Sequence, residues 1–472
     1  MDRGQFLYES FLRRFPYEPT PCQDALLRRM GSFLTGDEGD ILVVNGYAGT
    51  GKTTAVSAVI GAMSEFEVPC VLLAPTGRSA KVLSSYSGHP AFTIHKHIYR
   101  EKSHGDDGFG LFTLMPNKAK STLYIVDEVS LIGIEQGDSS ASFGSGNLLE
   151  DLINYVRSGV DNRLILIGDG AQLPPVGLDK SPALSEEFMS FAGGVSFSTL
   201  TTVVRQHSDS LILKNATKLR EMILDGHTIS LSALGLESGE EVVRIGGGDL
   251  LEALSTEYDK TGEDETVVLC RSNKRAIRYN AGIRAQVLYR EEKLVRGDRL
   301  MIVKNCYQGV DQIEGTDYIA NGDIATLVKI RDHEERYGLH FAEARLSFPD
   351  YGDQELVTKV LLDTLDSESP ALSYEQSNQL YQGVNEDYAH INGKKKRYAA
   401  VREDPYYNAL QLKYAHAITC HKSQGGQWSC VFIDNPFWQD TLQSEDLKWL
   451  YTAITRAVDK VYLVNFPDAC FV

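Results

Sequence analysis

The chain has 472 residues, a net charge of −17 and 42% hydrophobic residues. Such a length exceeds what one core can organise and implies roughly two to four domains. The acidic balance counts against a protein that merely coats nucleic acid, yet leaves room for a basic channel on an acidic body. No apolar run is long enough to span a membrane. Met1-Asp2-Arg3-Gly4-Gln5 lacks the layout of a signal peptide, and the seven cysteines are scattered without a C-x-x-C pair. Together these features predict reduced thiols, a cytoplasmic setting, and neither zinc nor membrane.

In chain order, short apolar runs at 41–44, 70–73, 122–126, 163–167 and 196–204 alternate with helical or loop stretches. That alternation predicts a parallel sheet covered by helices. Residues 98–114 suit a hairpin or protruding loop around His104-Gly105-Asp106-Asp107-Gly108, and the Ser/Gly-rich segment 137–146 is expected to be mobile. The α/β pattern resumes with a strand at 266–270, a helix at 274–289, and strands at 430–433 and 460–464. Between them, runs at 299–303, 324–330, 342–348 and 357–362 read as a small β-domain inserted into the second α/β unit.

The most specific chemistry lies at Gly46-Tyr47-Ala48-Gly49-Thr50-Gly51-Lys52-Thr53, followed by Thr54 and a helix-compatible run. A strand, a glycine loop and a helix N-terminus form a phosphate cradle. Backbone N–H groups face inward, Lys52 reaches the β/γ-phosphates, and the Thr53 hydroxyl can ligate Mg²⁺. The run 123–126 ends in Asp127-Glu128, two acids at the C-terminal edge of a buried strand. Asp127 suits Mg²⁺ and Glu128 the attacking water, unless the pair only caps a following helix. Gln172, in Gly168-Asp169-Gly170-Ala171-Gln172-Leu173-Pro174-Pro175-Val176, either meets a γ-phosphate or simply enters a proline-rich turn. Arg205, just past an apolar strand, is either a transition-state arginine or a surface ion-pair partner.

Near the C-terminus stand Thr419-Cys420-His421-Lys422-Ser423-Gln424-Gly425-Gly426 and Tyr451-Thr452-Ala453-Ile454-Thr455-Arg456-Ala457. With the preceding motifs in this order, the chain resembles the superfamily 1B DNA helicases of the RecD-like, Dda-like branch across residues 20 to 464. The resemblance implies that Gln23 reads adenine and that Gln172 senses the γ-phosphate. It implies that Arg205 and Arg456 reach that phosphate from two motor domains, with Gln424 and Gly425 also at the nucleotide. It places Pro75, Thr76, Arg78, Thr93 and His95 of the first domain, and Thr419, His421, Lys422 and Ser423 of the second, on single-stranded DNA. Hydroxyls and isolated basic groups suit phosphate gripping without base reading. A hairpin at 98–114 would part the duplex, with Phe109 and Phe112 as stacking candidates, unless those aromatics pack inward.

The expected fold is α/β, with two tandem RecA-like P-loop motor domains, a hairpin insert in the first and a small SH3-like β insert in the second. Expected boundaries are 1–212 for the first motor, with its insert at about 97–120, and 213–296 plus 409–472 for the second, around an insert at 297–408. The stretch 388–414 interleaves Lys394-Lys395-Lys396-Arg397 with tyrosines, suiting either single-stranded DNA or a solvated charge run. The implied activity is ATP- and Mg²⁺-dependent 5′-to-3′ translocation on single-stranded DNA, with unwinding at single-strand/duplex junctions, by a monomer. An RNA-directed motor of the same superfamily remains open, as does a DNA-stimulated ATPase that remodels protein–DNA complexes without unwinding.

Overall fold

The computed structural model describes residues 3–36, 39–104, 110–133, 142–204, 210–307, 310, 312–314 and 318–472. Its first half is built on a six-stranded sheet in the spatial order Ala91–Thr93, Cys70–Ala74, Leu123–Val126, Arg163–Gly168, Ile41–Gly46, Val195–Leu200, every neighbouring pair parallel. The four inner strands are largely apolar because both faces are covered, while the edge strands Ala91–Thr93 and Val195–Leu200 carry polar or exposed positions. Leu42, Val44, Ile125 and Ile165 face a core shared with the N-terminal helices, while Val43, Tyr124, Val126 and Leu164 face a second core on the other side. The last of these strands ends at Leu200, so residues 201–204, apolar in part, leave the sheet as a loop.

A second parallel sheet follows, ordered Val242–Ile245, Ala457–Val464, Trp428–Asp434, Thr266–Cys270, Ala417–Thr419. It too is buried on both faces, and one of its cores takes in Tyr47, Ala171 and Leu173 from the first half. The helix expected at 274–289 is α-helical over Asn273–Gly282 and then widens into a π-helix over Ile283–Val287. The Arg284 side chain on that turn meets buried Asp298 through two hydrogen bonds, Nε at 3.0 Å and Nη2 at 2.9 Å. A fork matched to a carboxylate in this way fixes geometry as well as charge.

Asp298 opens a closed five-stranded barrel of Arg299–Ile302, Ile324–Arg336, Leu339–Phe348, Gln354–Leu361 and Leu410–Tyr414. Its neighbours are antiparallel except for the last two strands, which pair in parallel, and its fifth strand lies beyond residue 408. The basic and aromatic stretch is helical. Tyr374–Asp387 and Lys394–Glu403 form a pair that buries Leu380, Val384 and Val401 against Phe341, with Tyr388, Tyr398, Tyr406 and Tyr407 packed around them. Lys394, Lys395 and Lys396 stay exposed, so helical packing separates tyrosines from lysines that alternate in sequence.

In the first half, Tyr99–His104 and Gly110–Leu114 form an antiparallel hairpin whose tip, with Phe109, lies outside the described residues. Ser142 and Phe143, from the segment read as a mobile loop, pair with Leu111 and Phe112 as a third strand. A flexible composition is thus recruited by an otherwise open strand edge.

The barrel rests on the first half. A Cβ added to Gly77 would come within 2.0 Å of the Ala320 Cβ. Beside it, Lys81 pairs at 2.7 Å with fully buried Asp323, which also accepts the Tyr351 hydroxyl at 2.7 Å and the Ala320 N–H at 2.8 Å. Removing one partner of a buried pair strands the other charge, typically at about 3–5 kcal/mol. Lys81→Met should therefore lower the denaturant midpoint clearly, and adding Asp323→Asn should restore most of the loss. Urea unfolding of the three proteins measures this.

Candidate nucleotide site and nucleic-acid interface

The P-loop strand delivers Gly46 into a turn where Gly49 and Gly51 hold φ of +72° and +83°, a backbone region that L side chains rarely adopt. Gly51 is the N-cap of the helix Lys52–Glu65, and no side chain caps that helix. Its first N–H groups are thus left for an anion, in the positive field of the helix N-terminus. Thr50 is buried with its hydroxyl donated to the Tyr47 carbonyl at 2.7 Å, and Thr54 is engaged by the Tyr17 hydroxyl at 3.1 Å. Thr53, between them in register, is exposed. Lys52 folds back onto the carbonyls of Gly46 and Tyr47, two weak acceptors that a phosphate would outcompete.

Asp127 and Glu128 stand at the C-terminal tip of the Leu123–Val126 strand, two places from the P-loop strand in the sheet. The Tyr86 hydroxyl donates to Asp127 at 2.7 Å, and Asp127 also accepts the Glu128 N–H at 2.8 Å. Glu128 holds a φ of +54°, a strained conformation for a residue with a side chain. Burial, with Asp127 next, pushes its carboxyl up to about 6, while Arg456 and Lys52 pull the other way. A carboxyl set near neutrality beside a phosphate cradle matches the demand on a general base.

Gln172 is buried, and its Oε1 has no hydrogen-bond partner among the described residues. Arg456, only 5% exposed, donates to the Thr452 and Gly426 carbonyls and to the Thr455 hydroxyl, and among the described residues no carboxylate makes a salt bridge with it. A buried arginine held by neutral acceptors and an uncapped helix N-terminus fit a polyphosphate, and the orphaned amide oxygen can accept from a water beside it; exposed Thr53 and half-buried Asp127 fit the metal ion. Arg205 lies outside the described residues.

Gln23 has a different setting. Its fully buried amide donates to the Thr50 carbonyl at 2.8 Å and accepts the Thr20 N–H at 2.9 Å, in a capping box. It braces the P-loop backbone from behind. Gln424 is likewise committed, its Nε2 donating to the Leu173 carbonyl at 2.9 Å across the two halves. Gly425 has a φ of +76°, and a Cβ there would come within 2.4 Å of the Ser79 Oγ.

Three contacts that the motifs did not flag join the halves here. The Tyr451 hydroxyl accepts the Ala48 N–H of the P-loop at 2.9 Å and donates to Asp169 at 2.7 Å. The Thr452 hydroxyl accepts the Leu173 N–H at 2.9 Å. Tyr451 and Thr452 were visible as letters beside Arg456, but only the fold brings them onto the first sheet.

The expected DNA contacts divide between the two halves. Thr76 caps the helix Gly77–Ser87 by accepting the Ser79 N–H, half-buried next to Pro75. Arg78 stacks over the Trp428 ring at 4.6 Å, bridging the halves. Thr93 is buried and caps Ile94–Ile98, and burial pushes the imidazole of half-buried His95 down toward neutrality. On the second sheet, Thr419 and His421 are half-buried, and the Ser423 hydroxyl turns inward to the Cys420 carbonyl at 2.7 Å. Burial, helped by Lys413, brings the Lys422 amine down to about 8. Phe112 packs half-buried against the first-half core.

Among known proteins, a family model for an AAA domain matches residues 23–235, and one for a UvrD-like helicase C-terminal domain matches 414–464. The ATP-dependent RecD2 DNA helicase of Deinococcus radiodurans is 32% identical over 199 residues, 42% of this chain and 24% of that protein. The ATP-dependent DNA helicase dda of Enterobacteria phage T4 is 25% identical over 452 residues, 90% of this chain and 94% of the phage protein. An uncharacterized protein of Methanocaldococcus jannaschii is 24% identical over 89% of this chain. The chain spans 36% of that archaeal protein and, as noted, a quarter of RecD2. A Pif1 helicase from Bacteroides, solved with ADP-AlF3 and ssDNA, aligns with a TM-score of 0.49 at 15% identity, covering 97% of this chain and 94% of that one. The motifs run in one order through both sheets, and the sequence matches lie at both ends of that order. The chain is thus similar to ATP-dependent DNA helicases along this whole order, with an AAA domain matched in its first half and a UvrD-like helicase C-terminal domain matched near its end.

Proposed function

We propose that the chain is an ATP-dependent DNA helicase that moves 5′ to 3′ along single-stranded DNA and opens duplex at single-strand/duplex junctions. The observation that carries this reading is the cross-cleft contact set. The second sheet reaches the P-loop through Tyr451, and its Arg456 lies close enough to act on the Glu128 carboxyl. A nucleotide site completed by two separate sheets changes when they close or part, which couples hydrolysis to motion. The 5′-to-3′ sense comes from the family.

In this reading residues 1–212 form the first motor, 213–296 with 409–472 the second, and the barrel an SH3-like insert. Lys52 holds the β/γ-phosphates on the N–H groups of the P-loop, and Gln23 and Gly425 shape the pocket. Thr53 and Asp127 would hold Mg²⁺, which neutralises charge developing on the phosphates. Glu128 orients the water and takes its proton, Gln172 senses the γ-phosphate, and Arg456 with Arg205 stabilises the transferred group. Thr76, Arg78, Thr93 and His95 alternate with Thr419, His421, Lys422 and Ser423 in gripping the strand as the cleft cycles. The hairpin carrying Phe109 and Phe112 meets the duplex.

Strand displacement tests the reading with duplexes bearing a 5′ or a 3′ single-stranded tail. Opening from the 5′ tail alone, lost in Lys52→Ala, is the expected outcome. Opening only from the 3′ tail overturns the polarity, and DNA-stimulated ATP hydrolysis without opening favours a remodelling ATPase. Matched RNA oligonucleotides should stimulate hydrolysis less than DNA does. Because Glu128 must be deprotonated to act, kcat/KM for ATP should fall as pH drops through about 6, roughly tenfold per further unit. A pH–rate profile of the wild type shows that limb; Glu128→Gln should lower kcat at least about 100-fold. Tyr451→Phe removes both hydroxyl bonds across the cleft and should lower DNA-stimulated turnover roughly 10- to 30-fold, as measured by steady-state ATPase assay.

A further inference from the structure

Three neighbouring strands of the second sheet, Ala417–Thr419, Thr266–Cys270 and Trp428–Asp434, run parallel, so their C-terminal ends open onto one edge. The first delivers Thr419 and His421, and the second delivers Arg271. The third runs on through Asn435-Pro436-Phe437 to Trp438, whose large apolar ring is 76% exposed. The loop around it is held firmly. Phe437 packs edge-on against Phe466 at 5.9 Å, and its N–H bonds to Asn435 at 3.0 Å. On the far side, the Asp440 carbonyl accepts the Leu231 N–H at 2.7 Å, and Thr441–Leu442 pairs with Ile229–Ser230. The ring is thus presented outward by backbone anchored on both flanks.

Arg271 sets its inner side. Its guanidinium lies 5.3 Å from the Trp438 ring centroid and is fixed by Asp446 at 2.5 Å, with Glu445 at 3.7 Å. The same Arg271 and Glu445 act on the His421 imidazole, which burial holds below its usual range. So the exposed indole, a fixed cation and a histidine of the proposed strand-gripping motif share one edge of the sheet.

We propose that Trp438 is a stacking platform for a base of the bound single strand, backed by Arg271 and set beside the Thr419/His421 phosphate contacts. This inference rests on the DNA-motor reading and adds to it a contact with the base faces, which every base offers whatever its identity. A motor that grips phosphates alone holds a flexible chain loosely; one base seated on a rigid ring gives it a register mark.

The chain carries its own probe. Of its three tryptophans, Trp428 and Trp449 are buried at 4% and 2% exposure, leaving Trp438 as the one open to solvent. Adding a single-stranded thymidine oligonucleotide should quench the intrinsic fluorescence of the wild type. Trp438→Phe, which keeps a stacking face, should bind within about threefold of wild type and lose the quench. Trp438→Ala should bind roughly 10-fold more weakly by fluorescence anisotropy of a labelled strand, and that penalty should vanish on an abasic strand. Unchanged affinity in Trp438→Ala, or a quench that survives in Trp438→Phe, overturns the stacking site while the motor reading stands. A wild type that binds no single strand at all overturns both.

Discussion

The structure turns on one shared hydrogen-bond donor. The Ala48 N–H belongs to the phosphate loop of the first sheet, yet its partner is the Tyr451 hydroxyl from the second, which in turn leans on Asp169. That hydroxyl, buried with its tyrosine, accepts from the loop and donates to Asp169, so one side chain of the second sheet engages two segments of the first. Around that bond the two cations donate to neutral acceptors while their fields reach Glu128. Arg456 has carbonyls and hydroxyls for company, Lys52 rests on carbonyls, and Glu128 is pressed toward neutrality by its surroundings. An anion at the uncapped helix N-terminus would offer Lys52 and Arg456 stronger acceptors than these carbonyls.

Much of this was legible in the sequence because phosphate chemistry restricts backbone as well as side chain. Gly49 and Gly51 signal positive φ, Lys52 and Thr53 follow from the helix that must start there, and Asp127-Glu128 ends an apolar run that can only be a buried strand. Sheet order, by contrast, was not legible, and with it went every contact that depends on it. Tyr86 reaching Asp127, Tyr451 reaching Ala48 and Arg271 lying under Trp438 each join residues that no local spacing relates. The amides show how a motif residue can serve the backbone. Gln23 and Gln424 sit in motifs, but an amide can satisfy backbone as readily as ligand, and both do so here.

The same distinction explains the insert. Alternating apolar residues gave four strands, but the fifth, Leu410–Tyr414, lies beyond a helical pair whose tyrosines carry a helical rather than a nucleic-acid logic. The π-turn at Ile283–Val287 has no signal in propensity; it carries Arg284, whose side chain meets buried Asp298. A tertiary ion pair accompanies that turn, much as a strand edge recruited Ser142–Phe143.

The barrel is tied to the second sheet by the chain itself and by Arg284, and to the first half by Lys81–Asp323 and the Gly77–Ala320 contact. The two sheets are also joined directly, at Tyr451 and Thr452. Three bodies linked pairwise make a triangular truss, and in a truss no joint turns alone. Any opening between the sheets must be matched by slip at the barrel's seat, where a glycine leaves no side chain to interlock and a long lysine stem can swing while keeping its carboxylate. The seat is thus a bearing, its travel bounded by the reach of two lysine stems, Lys81 on Asp323 and Lys96 over the Tyr318 ring at 5.0 Å.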